Sequence, residues 1–159
     1  MGDKVKVWSA ANGRGRAYHG ETLATRCLDS LPASIEYLPG VDSIRLIDIL
    51  WVEPDGTPVI AAFEVEHTTS IYSGIVRMLD LALSSDLHAA GGLFLVAPDS
   101  REHEVRAQLR RPAFSRVADL QVRFLSYGEL EKHKDAIARF GTGMKGIQAI
   151  SRVYWSAKS

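Results

Sequence analysis

The sequence predicts an α/β domain, with a mixed central sheet of about four core strands and helices on both faces. Three observations predict it. Pro54-Asp55-Gly56 separates two apolar, β-branched runs, which is a hairpin signal. Leu93–Ala97 is a short, continuous apolar run, as in a strand buried on both faces. After the hairpin, stretches of helical period alternate with strands, so helical crossovers join those strands.

The elements follow in order. Val5 and Val7 begin a short strand or an extended arm, and Asn12-Gly13-Arg14-Gly15 breaks it. The apolar set Ala17, Ala24, Cys27, Leu28 and Leu31 has helical spacing, and Pro32 ends that helix. Pro39-Gly40 is a turn. Ser43 to Glu53 is apolar and β-branched and reads as the first core strand, with Pro58 to Thr68 as its partner. Thr68 or Thr69 caps the next helix, whose residues Ile71, Ile75, Met78, Leu79 and Ala82 keep a 3.6-residue period. Gly91-Gly92 restarts the chain into the buried strand. Pro98-Asp99-Ser100 opens a helix from Arg101 to Arg111, ended by Pro112. Leu120 to Ser126 is the fourth strand and Gly128 to Phe140 the last helix. Residues 1–140 read as a single domain. Residues 141–159 read as a tail or docking segment carrying Ile147, Ile150, Val153, Tyr154 and Trp155.

Composition bounds the function. A chain of 159 residues makes one domain with one ordinary core. One cysteine, Cys27, excludes an internal disulfide and a cysteine-rich zinc module, and fits a reducing, cytoplasmic setting. No apolar run is long enough for a membrane span, and the N-terminus lacks the apolar core of a signal peptide. Net charge is zero but unevenly spread. Residues 42–99 carry nine acids against Arg45 and Arg77, whereas residues 101–159 carry twelve bases against six acids. An acidic centre between basic ends suits a protein that holds a cation centrally and phosphates peripherally.

The chemistry concentrates on the hairpin. Asp48 falls within the first core strand, and Glu64 and Glu66 fall near the end of the second. Side chains alternate with period two, so Glu64 and Glu66 share a face. A three-residue loop, Pro54 to Gly56, pairs Glu53 with Thr57 and sets even positions against even ones, which brings Asp48 to the same face. Three carboxylates then converge on an apolar sheet, and neither strand offers a Lys or Arg on that face. Like charges taken out of water need compensation from protons, water or a cation. A hard divalent cation such as Mg²⁺ suits oxygen donors.

Asp48, the hairpin, then Glu64-Val65-Glu66 opening into a helix resembles the PD-(D/E)XK nuclease superfamily, the restriction-endonuclease-like fold. The order of elements over about residues 16–140 agrees with that core. Ile47 stands where the pattern has Pro, and Glu66 where it has Lys; some restriction enzymes of the superfamily carry Glu-X-Glu there. The resemblance implies phosphodiester hydrolysis with Mg²⁺ or Mn²⁺, with DNA as the expected substrate. Asp48, Glu64 and the Val65 carbonyl would hold the metal, joined by Glu21 on the first helix, and Glu66 would orient water, act as general base or bind a second ion.

Ser70, Ser73 and Arg77 share the helix face after Glu66 and are candidate phosphate contacts, as are Arg16, Arg106 and Arg110. His67 alternates away from Glu64 and Glu66 and is not expected as a ligand. His19, His88, His103 and His133 lack metal-ligand spacing. So short a chain leaves little room for sequence readout, which calls for a homodimer or a larger assembly. The alternative is a catalytically inactive nuclease-fold domain that binds nucleic acid or a partner protein.

Overall fold

The computed structural model describes residues 6–10, 17–18, 21–22, 27–53, 59–84, 92–115, 121–140 and 144–154. Five strands form one mixed sheet in the order β1-β4-β5-β6-β7. They are β1 (Lys6–Ser9), β4 (Ile49–Val52), β5 (Val59–Val65), β6 (Gly92–Ala97) and β7 (Val122–Ser126). The strands β2 (Ala17–Tyr18) and β3 (Glu21–Thr22) form a separate antiparallel pair. The pairs β1–β4 and β4–β5 are antiparallel, and β5–β6 and β6–β7 are parallel. The sheet is thus mixed, as the sequence predicts, with five strands rather than about four.

Helices cover both faces. On one side lie α1 (Ala33–Glu36), α2 (Val41–Ile44), α3 (Ile71–Leu83) and α4 (Glu102–Leu109), which bury Ile35, Ile44, Ile75, Met78, Val105 and Leu109 in the larger core. The short α5 (Pro112–Ser115) adds Phe114 to it. On the other side α6 (Tyr127–Phe140) and α7 (Met144–Ile150) pack Leu130 and Ile147 over Phe63, Phe94 and Leu125. Phe94 and Phe63 stack with ring centroids 5.0 Å apart. Alternation along β5 sorts Ala61 and Phe63 to this second core and Ala62 to the first. Because the helices sit on both faces, β6 is buried almost throughout, and its unbroken apolar run follows from that.

Three expectations are corrected. The helix does not run over Ala17–Leu31 as expected: residues 17–18 and 21–22 are extended and residues 27–30 are irregular, while 19–20 and 23–26 lie outside the described residues. Gly20 costs a helix interior about 1 kcal/mol against Ala, and Tyr18 and Thr22 favour extended backbone. The strand from Ser43 to Glu53 begins only at Ile49, because residues 41–44 are helical. Ile44 and Ile47 are both fully buried. An odd separation cannot bury both on one face of a strand, whereas i and i+3 of a helical turn can. Hence Asp48 lies just before β4 and not within it. Finally, Ser70 caps α3 in place of Thr68 or Thr69, its hydroxyl accepting from the Ser73 N–H at 3.3 Å.

The hairpin register also differs. Ile49 pairs with Phe63, two positions beyond the expected partner, and a bulge follows between Trp51 and Val52. A shift by two preserves the faces, so even still opposes even. The connecting turn, residues 54–58, lies outside the described residues.

Candidate active site

The C-terminal ends of the parallel strands open onto a cavity of about 830 Å³. Asp48, Val65, Glu66, Ser70, Ser73 and Arg77 line it. The sequence therefore brings most of its candidate residues to one place. Each is held there by a local cause.

Asp48 sits where the β4–β5 ladder runs out. Its backbone carbonyl accepts from the Ala10 N–H at 3.1 Å, which continues the β1 edge. Its carboxylate oxygen Oδ2 accepts from the Val65 N–H at 2.8 Å, a donor that the ended ladder leaves over. Glu66 remains tied to the sheet, donating its N–H to the Val96 carbonyl at 2.8 Å.

Glu64 has no exposed surface. Arg77, from the second turn of α3, meets it fork to fork: Nε to Oε1 at 2.7 Å and Nη2 to Oε2 at 2.9 Å. The same Nη2 reaches Oε1 of Glu66 at 3.1 Å, and the Thr69 hydroxyl donates to the other Glu66 oxygen. The compensation expected from a cation is thus supplied in part by Arg77 on the facing helix, which the strand-by-strand reading did not reach. Close approach of that helix depends on Gly74, where a Cβ would stand 2.6 Å from Glu66 Oε1 and 3.3 Å from Glu64 Cβ.

One guanidinium does not balance three acids. Burial pushes the Glu64 carboxyl up from 4.5 to about 8, with the pull of Arg77 only partly opposing it and the charges of Asp48 and Glu66 adding to it. Burial likewise raises Glu66 to about 7. The hydrogen bond to Glu64 holds the Arg77 guanidinium even more firmly charged than usual.

The turn after β5 is organised by Arg101. Its Nη1 donates to the carbonyls of Glu66, His67 and Thr69 at 2.9, 3.3 and 2.9 Å, and Nε and Nη2 are held by Glu104. Sequence reasoning missed Arg101, because the contact spans more than thirty residues and exists only once the β5–β6 crossover is made. It also set His67 aside, yet His67 lines the cavity and stacks on Tyr127 at 5.8 Å, with the rings within 10°. No pattern in the sequence linked those two rings.

The remaining candidates lie elsewhere. Glu21 is in β3, not on a helix, and Arg16 lies outside the described residues. Arg106 and Arg110 do not line the cavity: Arg106 sits over the Tyr154 ring at 5.0 Å and 3.6 Å from Glu102, and Arg110 is exposed at the end of α4. Among the described residues, no three His, Cys, Asp or Glu side chains stand together as a ready metal-binding set. The donor chemistry nevertheless fits a hard divalent cation, because every donor is oxygen and negative charge is left over after Arg77.

Fold and site define a restriction-endonuclease-like α/β domain, with an acidic cavity at the strand ends. The chain belongs to the family described as the type II restriction enzyme NmeDI C-terminal domain, whose profile matches residues 2–148. The type II restriction enzyme NmeDI of Neisseria meningitidis serogroup C is 28% identical over 134 residues, covering 80% of this chain and 36% of that enzyme. The chain therefore spans about a third of that relative's length. No solved structure gives a significant match. Among the described residues, no helix is long and apolar enough to cross a membrane.

Proposed function

We propose that the chain is the metal-dependent nuclease domain of a restriction system, hydrolysing phosphodiester bonds in DNA with Mg²⁺ or Mn²⁺, on a Glu-X-Glu variant of the PD-(D/E)XK site. The observation that carries this reading is that Asp48 and Glu66 line one cavity, with Glu64 buried behind Arg77, which bridges it to Glu66. Family membership and a relative named as a type II restriction enzyme support DNA as the substrate. Asp48, Glu64 and the Val65 carbonyl are the proposed metal ligands. A bound metal would acidify water and stabilise charge on the phosphoryl oxygens.

The chain's own residues do the rest. The Val65 N–H fixes the orientation of Asp48. Glu66, held between Arg77 and Thr69 and raised to about 7, takes a proton from the attacking water near neutral pH. Ser70 and Ser73 face the cavity with hydroxyls able to donate to phosphate oxygens, and Arg77 supplies positive charge. Recognition of a particular sequence is assigned to a second copy or to further polypeptide, because so small a domain leaves little surface for it beyond the core.

A second reading is favoured by one observation: Arg77 takes both oxygens of Glu64. A domain fixed in that state would bind DNA or a partner protein without cutting. Plasmid and single-stranded DNA incubated with Mg²⁺, Mn²⁺, Ca²⁺ or EDTA separate the two. Cleavage that needs Mg²⁺ or Mn²⁺ and is lost in Glu64→Ala supports the nuclease. A gel shift without cleavage supports the binding domain.

A further inference from the structure

Arg77 is the one Lys or Arg among the described residues lining the cavity, and it is turned onto the carboxylates rather than outward. Its side chain keeps 22% of its surface exposed, while that of Glu64 keeps none. A cation entering from the cavity therefore meets Arg77 before Glu64. Three acids share the site, so the guanidinium neutralises only part of their charge. Arginine does not lose its proton, so it cannot leave as a neutral group; it can only exchange partners. Its planar fork fits a phosphate as well as it fits a carboxylate.

We propose that Arg77 is an exchangeable counter-ion. It holds Glu64 and Glu66 in place while no metal is present. Binding of a divalent cation at Asp48 and Glu64 releases the guanidinium into the cavity, beside Ser70 and Ser73, where it meets a backbone phosphate of DNA. Metal occupancy and phosphate binding are then coupled through one side chain. The inference rests on the metal-dependent reading above and adds a role for Arg77 that the reading does not require. The same lone pairs cannot serve both partners, so removing the competitor frees the ligands.

The test is Mn²⁺ titration of the full chain by calorimetry, without nucleic acid. Arg77→Gln is expected to bind Mn²⁺ about tenfold or more tightly than wild type, and Asp48→Asn more weakly. Unchanged or weaker binding by Arg77→Gln overturns the exchange. A measurement on the wild type needs no variant to fold. The Arg77 side-chain Nε–H resonance, read by NMR, should leave its Glu64-bonded position as Mg²⁺ saturates the site. A resonance that stays put while metal binds overturns the exchange and leaves the metal-dependent reading standing. Absence of metal binding in both wild type and Arg77→Gln overturns both.

Discussion

At the scale of single residues, the site is governed by carboxylates that the fold holds away from water. Glu64 titrates at about 8 and Glu66 at about 7, against 4.5 for a free side chain, and burial is the leading cause in each case. Between those values the folded chain binds more protons than the unfolded one. Stability therefore falls as pH rises from about 4.5 to about 8, the reverse of the usual carboxylate behaviour. Glu64→Gln keeps the uncharged shape and should flatten most of that fall. Urea unfolding in metal-free buffer at about pH 5 and about pH 8 checks it. An equal loss in wild type and Glu64→Gln would show that burial of Glu64 is not the source. The three acids were legible because strand alternation has an even period: the true register is two positions from the expected one, and parity is unchanged. Arg77 was legible as a neighbour but not as their partner, since its ion pairs cross from helix to sheet.

At the scale of elements, α3 lies close on β5 because residue 74 has no side chain. Ala at position 74 would gain up to ~1 kcal/mol of helical propensity. The same methyl would press on Glu66 Oε1 at 2.6 Å, an atom already pinned by Arg77, and on Glu64 Cβ at 3.3 Å. Overpacking of this kind costs about 1–3 kcal/mol, so Gly74→Ala should destabilise on balance. Gly146, in the middle of α7, has nothing within 4 Å of a new Cβ, and Gly146→Ala should stabilise by ~0.5–1 kcal/mol. Thermal melts of the two variants, one moving down and the other up, test whether proximity or propensity governs each site. Strand and helix types were read well where hydrophobic periodicity was sustained, as in α3 and β6. They failed at residues 41–47, where a β-branched composition suggested a strand and the odd spacing of Ile44 and Ile47 required a turn of helix.

At the scale of the whole molecule, the two ends of the described chain close the two edges of the sheet. On one side β1 pairs with β4, and its Val7 carbonyl accepts from the Leu28 N–H at 2.7 Å. On the other, the backbone of Arg152 exchanges two hydrogen bonds of 2.8 Å with Phe124 of β7. The side chains of Arg152 and Tyr154 meet Glu102 on α4, and Ile147 is buried against the second core. Docking of this segment was one of the readings its hydrophobicity allowed, but the strand it docks on was not legible, because a single bridge to an edge strand leaves no periodic trace. An edge strand left open is a template for pairing with other chains. A chain ending at residue 143 should therefore melt at lower temperature and scatter more light on concentration. Ile147→Ala should reproduce the stability part alone, with a loss of about 2–5 kcal/mol, because it leaves the Phe124–Arg152 bridge in place. Differential scanning calorimetry with light scattering on both proteins separates the two contributions. A truncated chain as stable and as monodisperse as the full one would show that residues 144–154 only rest on the sheet without closing its edge.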